Sequence, residues 1–476
     1  VVMCNCDAIP FHRSFCPCMA QLCFVTRRGD PVLVQPIHPT PRELKRLSDL
    51  DDQESLRFYR SVIYFYRRSQ QPRGDDPATI IRGALAAALV YYYPMAGRLV
   101  ELPADRKLLV DCTGEGVSFV EADADVALDD FGGDTLCPPV PCAAELLCLP
   151  ERSSAAVVNR PLLYVQVTRL TCGGFVLGVQ VCHSLVDAPG IKQFLIAVGE
   201  LARGMEAPSV RPVWARELLD ARDQPLANYH HPEYDLVADD DDDKLLRVRV
   251  PGGAAEEEVV LVHRAFRFGA KELRLLREQL PPAMRRSRCT TRFLLLSAFV
   301  WRCRTAALGY EPGEQVRFMF VMNARGRVRR PLPEGFYGNA LVFGVAETTA
   351  GELCSGSLGS AVQLIAAAKA RIAREDDYAQ SVADALVLRG RPRIALPPTT
   401  YLVTDITKWN LHEVDLGWGM PVYGGPATTT LATFHMPAPG GGITVPMSLP
   451  QRAMDRFAAN VQKAVVDGES AIRSRI

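Results

Sequence analysis

The residues best placed to do chemistry are His183 and Asp187, four apart in "HSLVDAPG" (His183–Gly190). They follow directly on Phe175–Cys182, where Phe175, Leu177, Val179 and Val181 alternate with smaller or polar residues. That period predicts a strand. A histidine leaving a buried strand into a loop bounded by Pro189 and Gly190 stands where a cleft between layers would put a base. A neutral imidazole with a pKa near ~6.5 suits removal of a proton from an alcohol at neutral pH. Other readings compete. A zinc pair at this spacing needs a third ligand, and none is visible nearby. A Ser–His–Asp hydrolase would use Ser184, but chain neighbours cannot easily share that hydrogen bond, and no G-x-S-x-G elbow surrounds it. Taken alone, the motif also fits a structural core histidine.

A second pattern stands far downstream: "DLGWG" (Asp415–Gly419), followed by "PVYGGP". Glycines on both sides of Trp418 mark a tight turn rather than a strand or helix interior.

The elements that must position these residues read as mixed strands and helices. A first strand is expected within residues 19–36. "HPTPRELKRLSDLDDQ" then reads as a turn and short helix start, with Thr40 and Glu43 at capping-box spacing. A helix is expected over 77–93, and strands at Lys107–Asp111, Val117–Glu121 and Leu162–Arg169. A helix Gly190–Arg203 follows the histidine loop. In the second half, strands are expected at Glu257–Phe268, Val316–Met322, Ala340–Ala346 and Tyr401–Asp405. Helices are expected near Lys271–Gln279 and, strongly amphipathic, at Thr290–Leu308. At 476 residues the chain exceeds what one core accommodates, and the fold class expected is α/β, two similar layered units facing each other.

Residues 1–18, with Cys4, Cys6, Cys16 and Cys18, read as an extension before a natural start at Met19; no zinc spacing is present there. The first domain is set at 19–207. A linker covers 208–246, with His230, His231 and the acidic run Asp239–Asp243 before Lys244, read as a solvated loop. The second domain is 247–476, with the segment around 385–410 a candidate to pack on the first.

Lysine plus arginine balance aspartate plus glutamate at 54 each, which argues against nucleic acid as partner. Local basic pockets for a phosphorylated ligand are compatible with that sum. The 14 cysteines are irregularly spaced and fit reduced thiols better than a disulfide framework. No apolar run reaches membrane-spanning length. Ser474-Arg475-Ile476 resembles the S-K-L peroxisomal address.

Together, H-x-x-x-D and D-x-G-W-G resemble the BAHD acyltransferases of plants. The resemblance covers residues 20–465 and includes "YYYPMAGRL" (Tyr91–Leu99), "SAFVWRCR" (Ser297–Arg304), "NARGR" (Asn323–Arg327) and "FYGNA" (Phe336–Ala340). Its alcohol-acylating branch is the most similar, through "LSDLDDQESLRF" (Leu47–Phe58), "PVWARELLDARDQP" and "TTYLVTDITK". The departures are Leu416 for the usual Phe and Ala188 for the usual Gly; neither removes a chemical group.

The resemblance implies two domains of the coenzyme A-dependent acyltransferase type with a channel at their interface. It implies an acyl-CoA co-substrate, a small alcohol acceptor, no permanently bound cofactor, no metal and a monomer. The expected reaction is benzoyl transfer to benzyl alcohol or a relative, with hydroxycinnamoyl or acetyl transfer, or a silent binding protein, as alternatives. His183 would be the base. Thr404 would donate a hydroxyl to the oxyanion, and Asp187 would turn away to pair with an arginine mapped to Arg292. Asp415 would anchor its own loop with Gly417, Trp418 and Gly419, and is grouped with the catalytic residues. Arg325 and Arg327 are candidates for the coenzyme A phosphates. Peroxisomal import through the terminal tripeptide is expected, with cytoplasm as the alternative.

Overall fold

The computed structural model describes residues 22–69, 76–149, 157–235, 261–328, 330–374, 377–428, 432–438 and 440–473. The proposed extension 1–18, the acidic run with Lys244, and Ser474–Ile476 lie outside the described residues.

Two sheets organise the chain. The first runs in the order Thr26–Arg28, Val117–Ala124, Leu163–Leu170, Phe175–Cys182, Tyr59–Tyr66 and Tyr423–Pro426, with Val32–Val34 also pairing to Val117–Ala124. Phe175–Cys182 is central and buried along its whole length. One face meets the helices Pro77–Tyr91 and Ala188–Ala202 through Leu177, Val179 and Val181. The other meets Leu146 and Leu147. At Gly178 the approach is so close that an added Cβ would sit 2.1 Å from the Leu146 carbonyl oxygen, so only glycine fits.

The second sheet is ordered Leu261–Phe268, Ile443–Pro450, Thr433–Pro437, Thr400–Asp405, Gln315–Asn323, Leu341–Thr349. Its core is filled by helices Ala270–Glu278, Arg292–Leu308, Leu358–Arg374 and Gln451–Arg473. The helix Arg292–Leu308, capped by Thr291, is buried on nearly all sides rather than amphipathic, with Trp301 fully enclosed. A helix surrounded by neighbours has no need of a polar stripe.

The alternating α/β reading holds, and Phe175–Cys182 coincides with its expected bounds. Residues 38–53 depart from expectation. Instead of a helix they give the strand Leu44–Arg46, paired to Leu108–Asp111 beside Arg98–Glu101. Glu43 reaches Tyr93 and Lys45 rather than a helical amide.

The two halves are not split cleanly in sequence. Arg391 makes ion pairs with Asp49 and Asp52, and the Ile394 amide donates to Ser55, so part of the 385–410 segment does touch the first half. Thr400–Asp405, however, lies inside the second sheet. The chain rejoins the first sheet later, at Tyr423–Pro426, which pairs with Val62–Phe65. Among the described residues, no helix is long and apolar enough to cross a membrane, and no cluster of metal-ligating side chains occurs.

Candidate active site

His183 is the first residue past its strand, where the two halves meet. Its amide donates to the Phe58 carbonyl at 2.8 Å, and its own carbonyl accepts from Asn339 Nδ2 at 2.8 Å. The backbone is thus held from both halves. The ring lies 5.3 Å from the Phe58 ring, centre to centre. Nδ1 is buried without a hydrogen-bond partner, whereas Nε2 is not sealed in. Burial, and next the nearby Arg60 cation, push the imidazole pKa down to about 4, so the ring is neutral at physiological pH.

Asp187 faces away from this opening. It caps the helix Ala188–Ala202 by accepting from the Gly190 amide at 3.1 Å. It is gripped by Arg325, Nη1 to Oδ2 at 2.5 Å and Nη2 to Oδ1 at 2.8 Å, and the Ala340 amide adds a third contact. This corrects the pairing with Arg292. Arg292 is exposed in the first turn of its helix, while Arg325 follows directly on the strand Gln315–Asn323 that ends beside the loop. It equally removes Arg325 from the coenzyme A candidates, because its guanidinium is spent on Asp187 and on the Gly338 carbonyl at 2.7 Å.

A network that the sequence reading did not assign lies beneath the loop. Asp51 accepts from Arg216 Nη1 at 2.9 Å and from Asn339 at 2.8 Å through both its amide and its side chain. Arg216 also donates to the Leu185 carbonyl at 2.9 Å and lies over the rings of Trp214, Phe336 and Tyr337. Three stretches remote in sequence therefore fix one turn. The quoted "DLDDQ" and "FYGNA" stretches carried these residues, but their charge and amide pattern gave no partner.

Across the interface stands Thr404, in register with Phe434 on the neighbouring strand. Its hydroxyl has no partner among the described residues and is not sealed in the core. The Arg60 guanidinium sits 5.7 Å from the Phe434 ring and 5.1 Å from the Phe58 ring, linking the Thr404 side to the His183 side. Arg60 escaped the sequence reading, although a lone cation inside "FYRSVIYFY" was the signal available. Arg327 is exposed and donates to the Ala373 carbonyl at 3.4 Å. With Lys408 it raises the positive potential around half-buried Lys369, whose pKa is lowered first by burial and then by these two cations. Asp405, next to Thr404, opposes that effect.

Asp415 is not in this group. Its carboxylate accepts from the Gly417 amide at 2.7 Å and the Gly419 amide at 3.0 Å, both glycines having positive φ. Trp418 meets Phe175 edge to face at 5.1 Å. Phe175 opens the strand that ends just before His183, so at the usual rise the loop lies about 26 Å from that histidine. Its placement with the catalytic residues is corrected to that of a clamp.

A family model described as Transferase family matches residues 25–464. The chain belongs to that family. It is the family of the BAHD resemblance, and the protein is an acyltransferase. It is 46% identical to a benzyl alcohol O-benzoyltransferase of Petunia hybrida over 96% of this chain and 97% of that one. It is 47% identical to the Nicotiana tabacum protein of the same name over 92% and 93%. Alcohol acyl transferase 2 of Malus domestica is 46% identical over 90% and 92%. Among solved structures, vinorine synthase matches with a TM-score of 0.67 at 20% identity, over 91% of this chain and 96% of that one. F. sporotrichioides TRI101 complexed with coenzyme A and T-2 gives 0.64 at 16%, over 88% and 97%. At these identities the two structures speak for the two-sheet fold of the family alone.

Proposed function

We propose that this acyltransferase moves an acyl group from a coenzyme A thioester to an alcohol, benzoyl to benzyl alcohol being the pair its relatives favour. The observation that carries the reading is the geometry of His183: neutral, backbone-fixed from both halves, with Nε2 open to the interface. A thioester carbonyl is already reactive and a thiolate leaves readily, so a base and an oxyanion donor suffice. His183 takes the alcohol proton as the oxygen attacks and returns it to the departing sulfur. Such base catalysis contributes about 10²–10⁴-fold, and holding both substrates together supplies much of the remainder. Thr404, with its unclaimed hydroxyl, is the donor toward the tetrahedral oxyanion, a role worth roughly 10²–10³ in rate. Asp187 positions the loop through Arg325 and does not touch the reacting atoms. The donor phosphates are assigned to the cluster of Arg327, Lys369 and Lys408, whose mutual repulsion a phosphate would relieve.

The test is release of free thiol from benzoyl-CoA with benzyl alcohol, against acetyl-CoA and hydroxycinnamoyl-CoA with aliphatic alcohols. Release that requires both substrates is expected. No release from any of these pairs would overturn this assignment of donor and acceptor.

A further inference from the structure

Arg60 sits at the interface, and among the described residues no acid balances it. Among the described residues it has neither a hydrogen bond nor an ion pair. Its contacts are two rings, Phe58 from the first half at 5.1 Å and Phe434 from the second at 5.7 Å. Other interior arginines here are matched: Arg216 by Asp51, Arg325 by Asp187, Arg391 by Asp52. Arg304, which also stacks on a ring, has Nη1 sealed inside the second half's core without a partner. Arg60 differs in that none of its nitrogens is sealed without a partner, although the residue is partly buried. The guanidinium therefore borders accessible space. The Phe58 ring contacts both Arg60 and His183, and Phe434, which Arg60 also faces, is in register with Thr404.

We infer that Arg60 is a specificity-determining residue that binds a carboxylate carried by one of the two substrates. The inference rests on the acyl-CoA-to-alcohol reading above and departs from its neutral benzoyl and benzyl alcohol pair, naming a carboxylated donor or acceptor for the same site. The physics is that of an uncompensated cation. Closing the interface over a neutral, apolar substrate would further desolvate the guanidinium with nothing in exchange. A carboxylate would be met by a planar, bidentate donor held between two rings with little freedom left to lose. Coenzyme A phosphates are poor candidates for this role, since the cluster at Lys369 already suits them. Two sources of the anion remain: a hydroxy acid as acceptor, or the monothioester of a dicarboxylic acid as donor.

The test compares wild type, Arg60→Gln and Arg60→Lys as intact enzymes. One arm takes the kcat/KM ratio of 4-(hydroxymethyl)benzoate to benzyl alcohol, with benzoyl-CoA as donor. The other takes the ratio of malonyl-CoA to benzoyl-CoA, with benzyl alcohol as acceptor. One ratio should fall about 10–100-fold in Arg60→Gln, the range of a charge-assisted pair, and recover in part in Arg60→Lys. The arm that moves identifies the source. Calorimetric titration of each carboxylated compound, with no turnover required, should show the same weakening. Should no pair release thiol, the proposed donor and acceptor fall while the titrations still decide on Arg60. If both ratios and both affinities stay within about twofold in Arg60→Gln, the inference is overturned.

Discussion

The strand Phe175–Cys182 carries a family motif at each end, and the two ends are built for opposite purposes. Just past its far end, His183 has one ring nitrogen buried without a partner and the other not sealed in. Near its start, Trp418 rests on Phe175, and Asp415 Oδ1 is held by the Gly417 and Gly419 amides, with Arg203 3.9 Å from its other oxygen. The first end holds unsatisfied groups and depends on Asp51, Asp187, Arg325 and Asn339 to keep it rigid. The second satisfies its own groups and fastens the second half's chain to the first sheet, helped by Tyr66 donating to the Val414 carbonyl at 2.7 Å. The open polar groups sit at a supported turn. A motif that identifies a family need not lie near that turn.

Substitutions at the two ends should separate these purposes. His183→Ala should lower kcat at least about a hundredfold while the melting temperature stays close to wild type, since only the base is lost. A mutant retaining more than about a tenth of the rate would return His183 to the role of a core residue.

Asp187→Asn tests the support under the first end. It leaves Arg325 without its countercharge at a mostly buried position. The expected loss is on the order of 3 kcal/mol in a urea denaturation, together with lower activity as the loop loosens. An unchanged denaturation midpoint would mean that the Gly338 carbonyl and solvent suffice for Arg325.

Asp415→Ala should do less, and do it differently. Two hydrogen bonds to backbone amides are lost, worth about 1–2 kcal/mol, at a carboxylate that is part exposed. Stability should fall while kcat/KM at low temperature stays within a fewfold. A hundredfold loss of kcat with intact stability would place the turn back in the chemistry.

Much of this was legible in the chain. The central strand and the histidine at its end could be read because a period-two apolar run of that length has few alternatives to a strand. The loop at Asp415 announced itself by its glycines, whose positive φ a side chain would resist. What could not be read were partners set by the crossing of the two halves. Arg292 and Arg325 are both arginines at element ends, and only the fold decides which lies beside Asp187. Residues 38–53 satisfied a local capping rule, yet pairing with Leu108–Asp111 outweighed it. Tyr423–Pro426 is too short to declare itself as a strand of the other sheet.

The smallest effect expected is in the pH profile, and it sharpens the contrast further. An exposed histidine titrates near ~6.5, so a base of that kind would lose about nine-tenths of its competent form by pH ~5.5. Burial, aided by Arg60, holds His183 at about 4 instead. The kcat/KM for benzyl alcohol should therefore stay nearly level from neutral pH down to about 5 and fall only below that. The same shift sets the sign of the stability change. The folded pKa lies below the unfolded one, so between about 4 and about 6.5 the unfolded chain binds the extra proton and stability drops as pH falls through that window. His435, buried with neither ring nitrogen partnered and also at about 4, adds to the drop in the same direction. The two histidines part on substitution. In His435→Gln the stability slope should shrink while the acid limb of the rate keeps its place. In Arg60→Gln the acid limb should move up toward neutral pH, because one of the two causes holding His183 down is gone. An acid limb near 6.5 in the wild-type enzyme would show that water reaches the imidazole freely, and that the difference between the strand's two ends is smaller than the packing implies.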